Sequence, residues 1–157
     1  MRKRIINQPP QDISPTSQDW LDLEHLAQVE FTSEITTHPI ESALTLGAGS
    51  GWRAAQAGKQ TIRLLFAAPQ RIRRIHLLFH EDQQERTQEF VLRWSSDGGQ
   101  SYREIVRQQY TFSLQGTTRE YEDYAVDLEG VTVLELSIVP DMGGLGALAS
   151  LAQLRLA

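Results

Sequence analysis

From Gln60 onward, apolar side chains recur at nearly every second position of the chain. A strand points successive side chains to opposite faces, whereas the apolar positions of a helix return every three or four residues, so this period builds half-buried β-strands. QTIRLLF places Ile62, Leu64 and Phe66 on one face, RIRRIHLLF places Ile75, Leu77 and Phe79, and EFVLRWS places Phe90, Leu92 and Trp94. YEDYAVDL then aligns Tyr124, Val126 and Leu128, VTVLELSIV aligns Leu134, Leu136 and Ile138, and LAQLRLA supplies Leu154 and Leu156. Ile72 stands three positions before Ile75, out of step with the alternation, which predicts a β-bulge there. Six such runs, separated by breaks containing Pro, Gly and Asp, predict an all-β antiparallel sandwich or barrel.

Between two of these runs lies SSDGGQS at 95–101. Glycine supplies the positive backbone torsion of a tight bend, so Asp97-Gly98-Gly99 reads as the turn of a β-hairpin. A phosphate-cradling loop would need a helix after it and a Lys-Ser/Thr pair or a third spaced glycine, and SYREIVRQQYTF continues instead as strand. Upstream, WLDLEHLAQ at 20–28 is too short for periodicity to separate a helical turn from an edge strand. Residues 7–19 hold three prolines among Gln, Asp and Ser, a composition that predicts a flexible arm over 1–19, with a single domain over 20–157.

Composition narrows the partners. The 157 residues suit one domain, and 15 Lys+Arg against 20 Asp+Glu leave a formal charge of -5, which argues against a nucleic-acid binder relying on excess basic groups. No cysteine is present, so neither disulfides nor thiolate chemistry contribute. The basic start runs into prolines without the apolar core of a signal peptide, and no span reaches the roughly 20 apolar residues of a membrane helix, so a cytoplasmic protein is expected.

Several segments, in order, follow the pattern of a known family: VEFTSE at 29–34, HPIESAL at 38–44, GWRA at 51–54, TIRLLFAAPQRIRRIHLLF at 61–79, FVLRWSSDGGQSYREI at 90–105, LELSIVPD at 134–141 and ASLAQLRLA at 149–157. The chain resembles the discoidin domain, also called the coagulation-factor type-C domain, of the galactose-binding-like superfamily. The resemblance implies a jelly-roll β-sandwich of about eight strands, with its two ends close together and any binding in loops at one end. Members bind sugars, lipid head groups or proteins and usually lack catalytic residues. Where the family commonly holds a structural calcium with an Ala-x-Asp-Gly-Asp stretch, this chain reads SALTLGAGSGWRA, without a carboxylate between Glu41 and Trp52. Calcium takes about six to eight oxygen ligands, charged ones among them, so no metal or other cofactor is expected.

Sugar recognition calls for an aromatic surface with charged or amide groups beside it. The candidates are His38, in the His-Pro loop; Trp52 and Arg53, after the Gly-rich stretch; and His80, Asp82 and Arg86 in HEDQQER. Each has a plainer reading: Trp52 as a core plug by family position, His38 as part of a turn that Pro39 favours, and His80 and Asp82 as a solvated turn. Tyr110 and Phe112 read either as exposed contacts in a long connection or as half-buried strand residues. Arg119, Glu120, Glu122 and Asp123 read as a solvated mixed-charge turn, and the basic run at 71–76 as a charged sheet edge. His76 and His80 share a strand face about 13 Å apart, too far to hold one ion. No Gly-x-Ser-x-Gly elbow or singled-out acid pair marks an enzyme. The expected function is a non-catalytic module that binds carbohydrate through its loops; the alternative is a protein-interaction or assembly subunit.

Overall fold

The computed structural model describes residues 19–47, 49–144 and 146–157, so the arm expected at 1–19 lies outside it except for Asp19. Both readings of the 20–28 stretch are realised in succession. A single helical turn, α1 (Leu23–Leu26), runs directly into β1 (Ala27–Phe31), and another turn, α2 (Glu41–Leu44), follows. The remaining elements are strands: β2 (Trp52–Ala57), β3 (Gln60–His80), β4 (Arg86–Ser95), β5 (Arg103–Phe112), β6 (Arg119–Val139), β7 (Leu148–Leu151) and β8 (Gln153–Leu156).

The fold is an antiparallel β-sandwich. Its main sheet runs β1-β3-β6-β4-β5, with β8 also on β3, and β2 pairs with β7 beside it. Four of the six alternating runs prove to be halves of two strands, β3 and β6, each of 21 residues. The β3–β6 ladder slips register between Leu65 and Gln70, between Gln70 and Ile72, and between Ile72 and Arg74. Pro69 falls in the first slip, where its missing N–H cannot continue the ladder, and Ile72 sits at the bulge its spacing predicted. Beyond these slips the flanking partners change. Phe66–Ile62 pairs with β1, whereas Ile75–Leu78 pairs with β8. The two halves fold over one core, in which Ile62 and Leu64 of the first half join Ile75, Leu77 and Phe79 of the second. The same core takes in Phe90, Leu92, Leu134, Leu136, Ile138, Leu154 and Leu156, as the alternation required. Leu21 N–H donates to the Leu156 carbonyl at 2.7 Å, so the two ends of the domain adjoin.

Asp97-Gly98-Gly99 is the hairpin bend between β4 and β5, with Gly98 and Gly99 at φ of 75° and 92°. Asp97 is structural: its carboxylate accepts from Ser95 Oγ at 2.6 Å and from the Ser101 amide at 2.9 Å, and the hydrogen bonds from Ser101 and Ser95 hold its pKa well below the usual carboxylate range. Tyr110 and Phe112 take the strand reading, the former donating its hydroxyl to the Arg119 carbonyl at 2.9 Å and the latter fully buried.

Two expectations are corrected. The basic run at 71–76 is not at an edge, because β3 has neighbours on both sides; Arg71 pairs with Asp127 and Glu129, and Arg74 with Asp123, across the ladder to β6. Nor is 119–123 a solvated turn. It opens β6, and period two turns Glu120 inward, leaving it 1% exposed.

Candidate functional site

The residues at one end of the sandwich are brought together by backbone pairing. In β2, Trp52 lies opposite Leu151 and Arg53 opposite Ser150 of β7. Gly51 permits this approach: its φ is 82°, and a Cβ there would meet the Leu151 carbonyl oxygen at 2.7 Å and the Ala152 Cα at 2.8 Å. The His-Pro turn is then sewn onto β2. Arg53 N–H donates to the His38 carbonyl at 3.1 Å, and Ile35 N–H donates to the Arg53 carbonyl at 3.0 Å. On the other side Ser150 Oγ donates to the carbonyl of His80, the last residue of β3, at 3.1 Å, and the Ala152 amide donates to the Leu78 carbonyl at 2.8 Å.

The result is a cleft of about 400 Å³ lined by His38, Ser50, Trp52, Arg53, His80, Asp82, Gln83, Ser150, Leu151 and Ala152. That volume lies within the range of about 300–1,000 Å³ typical of small-ligand sites. Five of the six sequence candidates therefore share one cleft, although they come from three separate segments. Trp52 takes part only as a wall. It is 1% exposed, and its indole N–H is spent on the Ser33 carbonyl at 2.9 Å, so the flat platform imagined for a sugar ring is not offered by this residue.

Arg86 is the candidate that does not line the cleft; it lies beneath it. Its Nε donates to Glu81 Oε1 at 2.8 Å, and Nη1 donates to the Pro140 carbonyl at 2.7 Å and to Gln88 Oε1 at 3.0 Å. Nη2 reaches Ser150 Oγ at 3.5 Å, while the guanidinium rests 4.7 Å from the centre of the Phe112 ring. A buried charge persists only when paired and hydrogen-bonded, and this one meets both conditions. Arg86 thus positions Ser150 and, through it, the His80 carbonyl. Glu81, its partner, holds the Gln83 amide at 3.3 Å and so shapes the loop bearing Asp82 and Gln83.

Sequence reasoning missed Ser50, Gln83 and the whole contribution of β7. The available signal was Ser150, a polar residue inside the apolar run ALASLA, which a strand buries only if something hydrogen-bonds it. The buried Glu81–Arg86 pair was missed because both residues read as part of a charged turn.

The cleft combines one guanidinium, one carboxylate, two imidazoles, an amide and two hydroxyls, and its lining is more polar than apolar. Such a lining can donate to and accept from a hydroxyl-rich ligand. Its one carboxylate is that of Asp82. Among the described residues no group of three or more His, Cys, Asp or Glu side chains stands together as a metal site.

No protein-family model matches the sequence, and no curated protein matches it significantly. Solved structures do resemble it in fold. A family 32 carbohydrate-binding module from Clostridium perfringens NanJ, in complex with galactose, superposes with a TM-score of 0.63 at 13% identity, covering 87% of this chain and 96% of that one. CBM32-3 from a family 31 glycoside hydrolase of Clostridium perfringens gives 0.64 at 17% identity, covering 89% and 95%. The CBM32 of AlyQ, in complex with 4,5-unsaturated mannuronic acid, gives 0.61 at 14% identity, covering 84% and 95%.

Proposed function

We propose that the chain is a non-catalytic carbohydrate-binding module that takes a sugar in the cleft at its loop end. The observation that carries this reading is the convergence of His38, Arg53, His80, Asp82 and Gln83 in one polar cleft. Arg53 and Gln83 would donate to sugar oxygens and Asp82 would accept from hydroxyls, with the imidazoles able to do either according to tautomer. Arg86 serves from below by holding Ser150. The likeness of the whole fold to modules solved with bound sugars supports the same reading.

Titration of a broad panel of mono- and oligosaccharides, followed by amide chemical shifts, tests it. Expected are saturable shifts at Ser50, Arg53, Asp82 and Gln83, and a roughly tenfold loss of affinity in Arg53→Ala, the size of one charge-assisted hydrogen bond. A panel that moves none of these resonances would refute the proposal.

A second reading, a protein-interaction or assembly subunit, is favoured by one feature. Leu23, Ala27, Val29, Phe31, Ile40 and Leu44 line an apolar groove of about 230 Å³ between β1 and the two helical turns. Light scattering during size exclusion separates the readings: a monomer at every concentration argues against self-assembly through this groove.

A further inference from the structure

Away from the loop end, three adjacent strands place Arg155 of β8, His76 of β3 and Asp123 of β6 side by side across the outer face of the sheet. These positions are out of phase with the core residues Ile75, Leu77 and Leu154, so period two turns them outward. Trp20 and Tyr121 flank the row, their ring centres 5.9 and 4.5 Å from that of His76. With Arg74 and Gln153 they line a cleft of about 340 Å³, nearly as large as that at the loop end.

Two properties of this cleft point to a ligand. Tyr121 is 67% exposed, while its ring is held edge-on to the imidazole, leaving a fixed aromatic surface open to solvent. Such a surface, costly to leave in water, suits the C–H face of a sugar ring. The second is charge. Arg74 is matched by Asp123, but Arg155, only 7% exposed, donates Nη1 to the carbonyls of Ala43 and Leu154 and has no carboxylate partner among the described ion pairs. The lining therefore carries two guanidiniums against one carboxylate, in a chain whose net charge is -5. A buried cation is ordinarily paired, and a bound anion would complete this one.

We infer that this face is a second saccharide site, selective for a sugar bearing a carboxylate. The carboxylate would lie towards Arg155, the ring against Tyr121, and the hydroxyls at Gln153 and Asp123. This site stands independently of the one at the loop end, and either can fail without the other.

The test is an NMR titration of the full chain with glucuronate, with galactose as a neutral ring and acetate as an anion without a ring. Glucuronate is expected to shift the Trp20 indole N–H and the Gln153 side-chain amide, with at least fivefold higher affinity than galactose or acetate. Tyr121→Ala, a change at an exposed side chain, should weaken glucuronate about tenfold at these resonances and leave loop-end shifts unchanged; Arg53→Ala should do the reverse. Equal response to acetate would reduce the site to an anion pocket, and equal response to galactose would remove its selectivity; each overturns the proposal. So would shifts confined to Ser50, Arg53, Asp82 and Gln83, or indifference to Tyr121→Ala.

Discussion

At the scale of single residues, the side chains most informative about this protein are charges buried beneath strands and loops. Arg86 is one. Replacing it with Leu strands Glu81 without its partner, and breaking a buried pair from one side costs about 3–5 kcal/mol. Urea denaturation should show that loss, and the double change Glu81→Gln/Arg86→Met should recover much of it. Glu120 is another. Burial first, then the neighbouring Glu122, pushes its carboxyl from an ordinary 4.5 up to about 8. The folded state therefore binds a proton more tightly than the unfolded one. The stabilisation is complete below about 4.5 and is lost as pH rises towards about 8, at of the order of 1 kcal/mol per pH unit at most. Melting followed from pH 5 to 8.5 should show wild type declining across this window, and Glu120→Gln should flatten the profile and be the more stable variant at pH 8. Neither burial was legible in advance, because HEDQQER and the 119–123 stretch both read as charged, solvated turns until their partners are known. The partners Gln88, Pro140 and Ser150 lie 2, 54 and 64 positions from Arg86.

At the scale of elements, the alternation was the readable part. It placed the inward faces of β3, β4, β6 and β8 correctly, and the odd spacing at Ile72 located the bulge. What it could not reveal was continuity. Pro69 and Gly130 each looked like a break between two strands, yet each lies within a single strand, at a slip in the β3–β6 ladder. A local break and a corner use the same residues, and only the ladder on either side distinguishes them. The loop-end cleft was half legible. HPIESAL, GWRA and HEDQQER announced themselves by type, but β7 did not, because its role arises from pairing with β2. Gly51 is the hinge of that pairing. Gly51→Ala should lower stability by at least about 1 kcal/mol, since the residue needs a positive φ and its methyl would strike the Leu151 carbonyl. Thermal melts would register the loss, and shifts in the amides of Leu151 and Ala152 would place it at the cleft.

For the whole molecule, stability rests on one apolar cluster reaching from Leu23 to Leu156, without disulfide support. The stretch between Glu41 and Trp52 carries no carboxylate. Melting curves with and without EDTA should coincide; a fall of several degrees with chelator would show that an ion contributes after all.

The contact between Leu21 and Leu156 has a consequence for how the molecule can be mounted. Ala157 accepts backbone hydrogen bonds from Arg73 and Arg74, whereas His80 marks the loop end, six residues and roughly 20 Å further along the same strand. Leu21 and Ala157 therefore lie side by side, well back from the loop-end cleft. A fluorescent protein or a surface linker attached on either side should leave sugar access to the loop-end cleft unimpeded, and the two attachments should give the same affinity there.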